Sequence, residues 1–185
     1  SKKVVCLTDR DPVWREGDNG SFECCYPFEK DEDGYEYQDH SDDLINAYKD
    51  HPNIKIYSQD ANKGKTLEYD LMLHNSTSEI LLVKELSNKD EIKEIQATDY
   101  PACLEKLRKS KENERIREAL KDCSWSNEDK KKALLAARYL NSVGKGENAL
   151  ELSIVLRDNL SKQGEECKDF IVPKYIEEAL TWLLQ

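Results

Sequence analysis

Asp9 and Asp11 follow closely on the apolar run Val4-Val5-Cys6-Leu7 and stand within the polar stretch Thr8-Asp9-Arg10-Asp11-Pro12. Carboxylates at the carboxyl end of a strand are well placed for chemistry, because open α/β sheets bind their ligands at that edge. In a continued strand the two side chains would point to opposite faces. Pro12 and the turn let both bend toward one cation, and Mg²⁺ suits such a site, being held by one or two carboxylates, waters and a substrate phosphate. The plainer reading is a solvated turn.

Glu68, in Lys65-Thr66-Leu67-Glu68-Tyr69-Asp70-Leu71, is a further candidate acid. It falls at the second position of an expected helix, where the helix dipole alone would account for a carboxylate. Ser142-Val143-Gly144-Lys145-Gly146 lies at an expected helix junction. Such a junction, with glycines and a Lys beside a helix amino terminus, can receive a phosphate; a helix end followed by a new helix explains both glycines equally well. Gly64-Lys65-Thr66 imitates the tail of a P-loop, but Gln59 stands where that pattern needs its first Gly, so a P-loop is rejected. His40, His51 and His74 are the only histidines, the six cysteines include no Cys-x-x-Cys pair, and the adjacent Cys24 and Cys25 cannot readily share one tetrahedral metal. Reduced thiols and no structural zinc are expected.

The elements that would position these residues can be read from the hydrophobic pattern. Val4–Leu7 reads as a strand buried on both faces, and Ile54-Lys55-Ile56-Tyr57 as a second strand. Thr66 then caps a helix from Leu67 to about His74. From Tyr100 onward the pattern is helical. Residues 102–123 carry Leu104, Leu107, Ile116, Leu120 and Cys123 in a helical stagger, and Ser126 caps a helix from Asn127 to about Asn141 with Leu134, Leu135, Tyr139 and Leu140 inward. Gly146 precedes a helix over about 147–160 with the stripe Leu150, Ile154, Val155 and Leu160, and Pro173 opens a last helix. The expected class is α/β: a small parallel-type sheet with helices over residues 1–100, followed by a helical region over 101–185.

The net charge of −10 belongs to one segment. Residues 16–43 hold eleven acids against one base, Lys30, so the remaining 27 acids and 27 bases cancel. That segment reads as an acidic insertion, a long loop or a small hairpin. An acidic protein is a poor first guess for a nucleic-acid binder, since phosphate contacts come mostly from Lys and Arg; a neutral domain with one acidic insertion is a weaker objection. No apolar run reaches the length of a membrane span, and the start resembles no signal peptide, so a cytoplasmic protein without a membrane partner is expected. The absence of an initiator Met, with a strand beginning almost at once, suggests a piece of a larger chain.

Taken together, Leu-Thr-Asp9-Arg-Asp11-Pro, Lys-Thr-Leu-Glu68-Tyr-Asp-Leu, Ser142-x-Gly-Lys145-Gly and Val172-Pro173-Lys-Tyr-Ile-Glu-Glu-Ala resemble the carboxyl-terminal Toprim nuclease region of OLD-family ATP-dependent endonucleases. The resemblance touches both ends of the chain and leaves the acidic segment and much of 76–125 unmatched. It implies a Toprim-like sheet and Mg²⁺- or Mn²⁺-dependent cleavage of DNA by a two-metal mechanism. Asp9, Asp11 and Glu68 would be catalytic metal ligands, and Ser142, Lys145 and Gly146 would lie near the scissile phosphate, with Lys145 catalytic. Gly144 stands where the family often has an acidic residue. The resemblance also implies a first strand with a Glu motif and an ATPase domain upstream, so that ATP would act only through that domain, and it is compatible with a homo-oligomer. A fragment without the upstream Glu would cut DNA slowly or not at all.

Two other classes compete. Strand-Asp9-x-Asp11 imitates the nucleophile and acid of a haloacid-dehalogenase-like phosphatase, but a later strand ending in paired acids is needed and Ile80–Val83 ends in Lys84-Glu85. A degenerate Toprim-like fold used as a non-catalytic interaction domain is the other.

Overall fold

The computed structural model describes residues 2–16, 20–29, 35–144, 146–162, 164 and 167–185. They form two compact units, one of residues 1–70 and 172–185, the other of residues 71–171. The last helix packs on the first strands, which joins residues 172–185 to the first unit in place of the helical region expected over 101–185.

In the first unit β1 (Val4–Leu7) and β5 (Ile54–Tyr57) pair in parallel, in the register Val4↔Ile54 to Leu7↔Tyr57. Helix α7 (Lys174–Leu184) lies against both strands, and α1 (His40–Tyr48) lies against β5. Both strands were legible as apolar runs, but β1 is not the doubly covered strand that its composition suggests. Val4 is 51% and Leu7 48% exposed, since β1 is the edge of a two-stranded sheet with α7 as its main cover. Where α7 does lie on the sheet, Lys3 and Lys55 place their ammonium groups 5.0 and 5.3 Å from the centre of the Trp182 ring.

The acidic segment is not one loop. It begins at the end of β2 (Val13–Glu16) and supplies β3 (Glu23–Cys24) and β4 (Tyr35–Gln38), which with β2 form an antiparallel sheet in the order β3-β2-β4, and then the start of α1. Residues 17–19 and 30–34 of the segment lie outside the described residues. Several of its acids have local work. Glu36 accepts from Arg15 at 2.6 Å across β4 and β2. Asp39 caps α1 by accepting from the Ser41 amide at 2.9 Å, and Asp42 and Asp43 fall in the first turn, where the helix dipole favours negative charge.

The second unit contains α3 (Lys89–Gln96), α4 (Lys111–Asp122), α5 (Asn127–Leu140) and α6 (Glu147–Leu160), together with the last turn of α2 (Leu67–His74). Its core holds Ile92, Ile95, Leu104, Leu107, Ile116, Leu120, Leu134, Leu135 and Tyr139. The continuous helix expected over 102–123 is broken: a single tight turn of helix spans Ala102–Lys106, and Ser110 restarts the chain by capping the Asn113 amide at 3.1 Å. Ile80–Val83 is buried but forms an irregular turn in place of a strand, which removes the later strand a haloacid-dehalogenase-like site would require. The stripe on α6 does not face inward either; Leu150 is 66% and Leu160 85% exposed. The side buried is that of Asn148, Leu152 and Asn159, because Asn159 clasps the Lys168 backbone, accepting from its amide at 2.8 Å and donating to its carbonyl at 2.7 Å. Among the described residues no helix is long and apolar enough to cross a membrane.

Candidate functional site

Asp9 lies just beyond the carboxyl end of β1, and its Oδ1 accepts from two donors. One is the backbone amide of Leu67 at 3.0 Å, the first residue of α2; the other is Gln59 Nε2 at 2.7 Å. The carboxylate therefore ties the end of β1 to the start of α2 and satisfies one of the amides a helix leaves open there. Glu68 is the next residue of α2. Asp9 and Glu68 line one cavity of about 260 Å³ together with Leu7, Thr8, Gln59, Leu67, Tyr175 and Ile176.

Asp11 goes elsewhere. Its φ of +44° puts it in the left-handed region, which Asp tolerates better than most residues, and the reversal carries its side chain to Lys65, with Oδ1 3.3 Å from Nζ. Lys65 is itself buried; its ammonium also donates to the Cys25 carbonyl at 3.0 Å, and its carbonyl accepts the amides of Arg10 and Asp11. Asp9 and Glu68 thus share a cavity, and Asp11 does not line it. Among the described residues no three His, Cys, Asp or Glu side chains converge as a metal site. Of the residues lining the cavity, Asp9 and Glu68 are the two carboxylates that could hold a hydrated cation, since Mg²⁺ keeps several waters and needs only one or two carboxylates. Asp11, with Oδ1 on Lys65 and its side chain 52% exposed, stands apart from that cavity.

Behind the cavity lies a polar layer that the sequence reading missed. Gln59 is 1% exposed and uses its amide on both sides: Oε1 accepts from the Arg10 amide at 2.9 Å, and Nε2 donates to Asp9 and, at 3.2 Å, to the Tyr175 hydroxyl. The buried Arg10 guanidinium donates to the Gln59 carbonyl, to Asp39 at 2.7 Å and to Asp42 at 2.8 Å. Burial pulls the Arg10 pKa down, but Asp39 and Asp42 more than offset it and the net direction is up. Asp70 is buried on α2 and accepts from the Lys65 amide at 3.2 Å; burial, reinforced by Asp60 and Asp9, pushes its pKa up to about 7. Burial also raises the Tyr175 phenol to about 12, so it stays protonated. A signal for Gln59 did exist. With Leu7 paired to Tyr57, Asp9 and Gln59 are each the second residue past a parallel strand and arrive at the same edge. Gly64 keeps that edge tight, since a Cβ there would come within 2.3 Å of the Gln59 Cβ.

Of the residues expected near a phosphate, Lys145 lies outside the described residues. Ser142 and Gly146 belong to the second unit, at the junction of α5 and α6. The Ser142 amide donates to the Tyr139 carbonyl at 3.0 Å as α5 ends, and Gly146 precedes α6, its carbonyl accepting the Leu150 amide at 3.2 Å. Between them Asn148 Oδ1 accepts from the Gly144 amide at 2.7 Å. These bonds account for the junction as a helix-to-helix turn. Comparison of the chain with protein-family models, with curated proteins and with solved structures gives no match.

Proposed function

We propose that the first unit carries the metal-binding half of a Toprim-like nuclease centre of the OLD-family type, acting on DNA with Mg²⁺ or Mn²⁺ as part of a larger ATPase–nuclease chain. The observation that supports this reading is the shared cavity of Asp9 and Glu68 at the carboxyl edge of the parallel pair β1 and β5. A bound cation would supply Lewis-acid stabilisation of a phosphoryl oxygen and a more acidic water. Asp9 and Glu68 would hold it. Gln59 and the Leu67 amide keep Asp9 in one orientation, so that little reorganisation is needed when a cation arrives. Asp11, given to Lys65, serves the frame of the site; the reading is therefore of one cation on this chain, not the pair that the resemblance implies. Ser142, Lys145 and Gly146 enter as phosphate-contacting residues through the resemblance alone.

One observation favours a second reading, a Toprim-like domain that binds without cutting. Asp9 already has a structural task as the cap of α2, and no third carboxylate joins it and Glu68 among the described residues. Nicking of supercoiled DNA separates the two. Mn²⁺-dependent nicking by the purified chain that is lost in Asp9→Asn supports the nuclease reading; nicking equal in wild type and Asp9→Asn, or DNA binding without cutting that Asp9→Asn and EDTA leave unchanged, favours the binding domain.

A further inference from the structure

The cavity beside Asp9 contains a hydrogen-bond donor whose direction can be deduced by counting hydrogens. Gln59 is fixed without ambiguity: a backbone amide can only donate, so the side-chain atom facing the Arg10 amide at 2.9 Å must be the oxygen. The atom on the other side is then the NH₂ group, and its two hydrogens go to Asp9 Oδ1 at 2.7 Å and to the Tyr175 oxygen at 3.2 Å. The Tyr175 hydroxyl is therefore an acceptor toward Gln59. Its own single hydrogen has to be donated in another direction, and no hydrogen bond from it is made to any described residue. Tyr175 is only 9% exposed, and the space its side chain meets is the cavity of Asp9 and Glu68.

We propose that Tyr175 is a substrate-binding residue, donating its phenolic hydrogen to an anionic phosphate oxygen of a nucleic-acid strand held in the Asp9–Glu68 cavity. The choice of phosphate rests on the nuclease reading; the donor itself rests on the hydrogen count. The arrangement suits an oxyanion. A neutral donor sits beside two carboxylates that would repel the anion until a cation balances them, so cation and phosphate would bind together. Gln59 serves both partners, orienting the metal-binding carboxylate with one hydrogen and the phosphate donor with the other.

Tyr175→Phe removes the hydroxyl and keeps the ring, and thermal unfolding of the variant verifies that the fold is retained. The full chain is titrated with Ca²⁺ alone, then with fluorescein-labelled octathymidylate at saturating Ca²⁺, followed by anisotropy. Tyr175→Phe should keep the Ca²⁺ affinity within about twofold and lose about tenfold in strand affinity, as expected for one hydrogen bond to a charged group. Equal strand affinity in wild type and variant, or no strand binding by wild type, overturns the proposal. The metal reading is judged separately: Asp9→Asn with undiminished Ca²⁺ affinity removes it.

Discussion

Asp9 and Gln59 stand side by side at the ends of two parallel strands, joined by a 2.7 Å hydrogen bond, although 50 residues separate them in the chain. The bond makes a buried, uncharged side chain the holder of an exposed, charged one. Its other partners extend the hold in two directions, to Tyr175 on α7 and to the Arg10 backbone, so that the edge of the sheet, the first turn of α7 and the turn after β1 are set by one amide.

Gln59→Ala is expected to destabilise the first unit by about 1–2 kcal/mol, because Asp9 and the Tyr175 hydroxyl lose a donor and the buried side chain its packing, while the Arg10 amide keeps the Lys65 carbonyl. Urea unfolding monitored by tryptophan fluorescence would show it as a lower midpoint. A change below about 0.5 kcal/mol would mean that water replaces the amide without cost.

Arg10→Met tests the second half of that layer. The Asp39 side chain is slightly more buried than that of Arg10, with exposures of 7% and 9%, so removing the cation strands a carboxylate in a poorly hydrated place. A loss of about 3 kcal/mol is expected. Restoring the loss by adding Asp39→Asn would confirm that the cost is the unpaired charge; Asp39→Asn also weakens the cap of α1, so the rescue should be partial.

The pattern of what could be read from the chain follows from the kind of signal each feature leaves. Strand β5, the helices over 67–74 and 147–160, and the caps at Thr66 and Ser126 were legible because apolar spacing and capping residues are local. Helix α1 was not, since its acids were read as part of one charged block when Asp39, Asp42 and Asp43 are the amino-terminal signature of a helix. The α6 stripe misled in the opposite sense: Asn148 and Asn159 are buried through specific hydrogen bonds, which hydrophobic period does not register. For the site, Asp9 and Glu68 were chosen by residue type and position. Asp11 was grouped with them through the Asp-x-Asp spacing, and only the left-handed turn shows that it faces Lys65.

Asp70 gives the pH dependence a definite sign. Its folded-state pKa of about 7 lies above the ordinary carboxylate range, so the proton is bound more tightly in the folded chain. The associated stability is present below about pH 4 and is lost as pH rises toward 7, beyond which this contribution is flat. In EDTA, wild-type stability should fall by about 2–4 kcal/mol between pH 4 and pH 8 from this group. Asp70→Asn, which still accepts from the Lys65 amide, should remove that slope and be the more stable protein at pH 8. Parallel pH profiles for the two proteins would show that Asp70 ionises without penalty.

The central claim, that Asp9 and Glu68 form a cation site from which Asp11 is excluded, is tested most directly by calorimetric titration of Mn²⁺ into the chain. One ion per chain is predicted. Asp9→Asn and Glu68→Gln should each weaken binding by about tenfold or more, while Asp11→Asn stays within about threefold of wild type. Undiminished affinity in Asp9→Asn, or a loss in Asp11→Asn as large as in the other two, would contradict it.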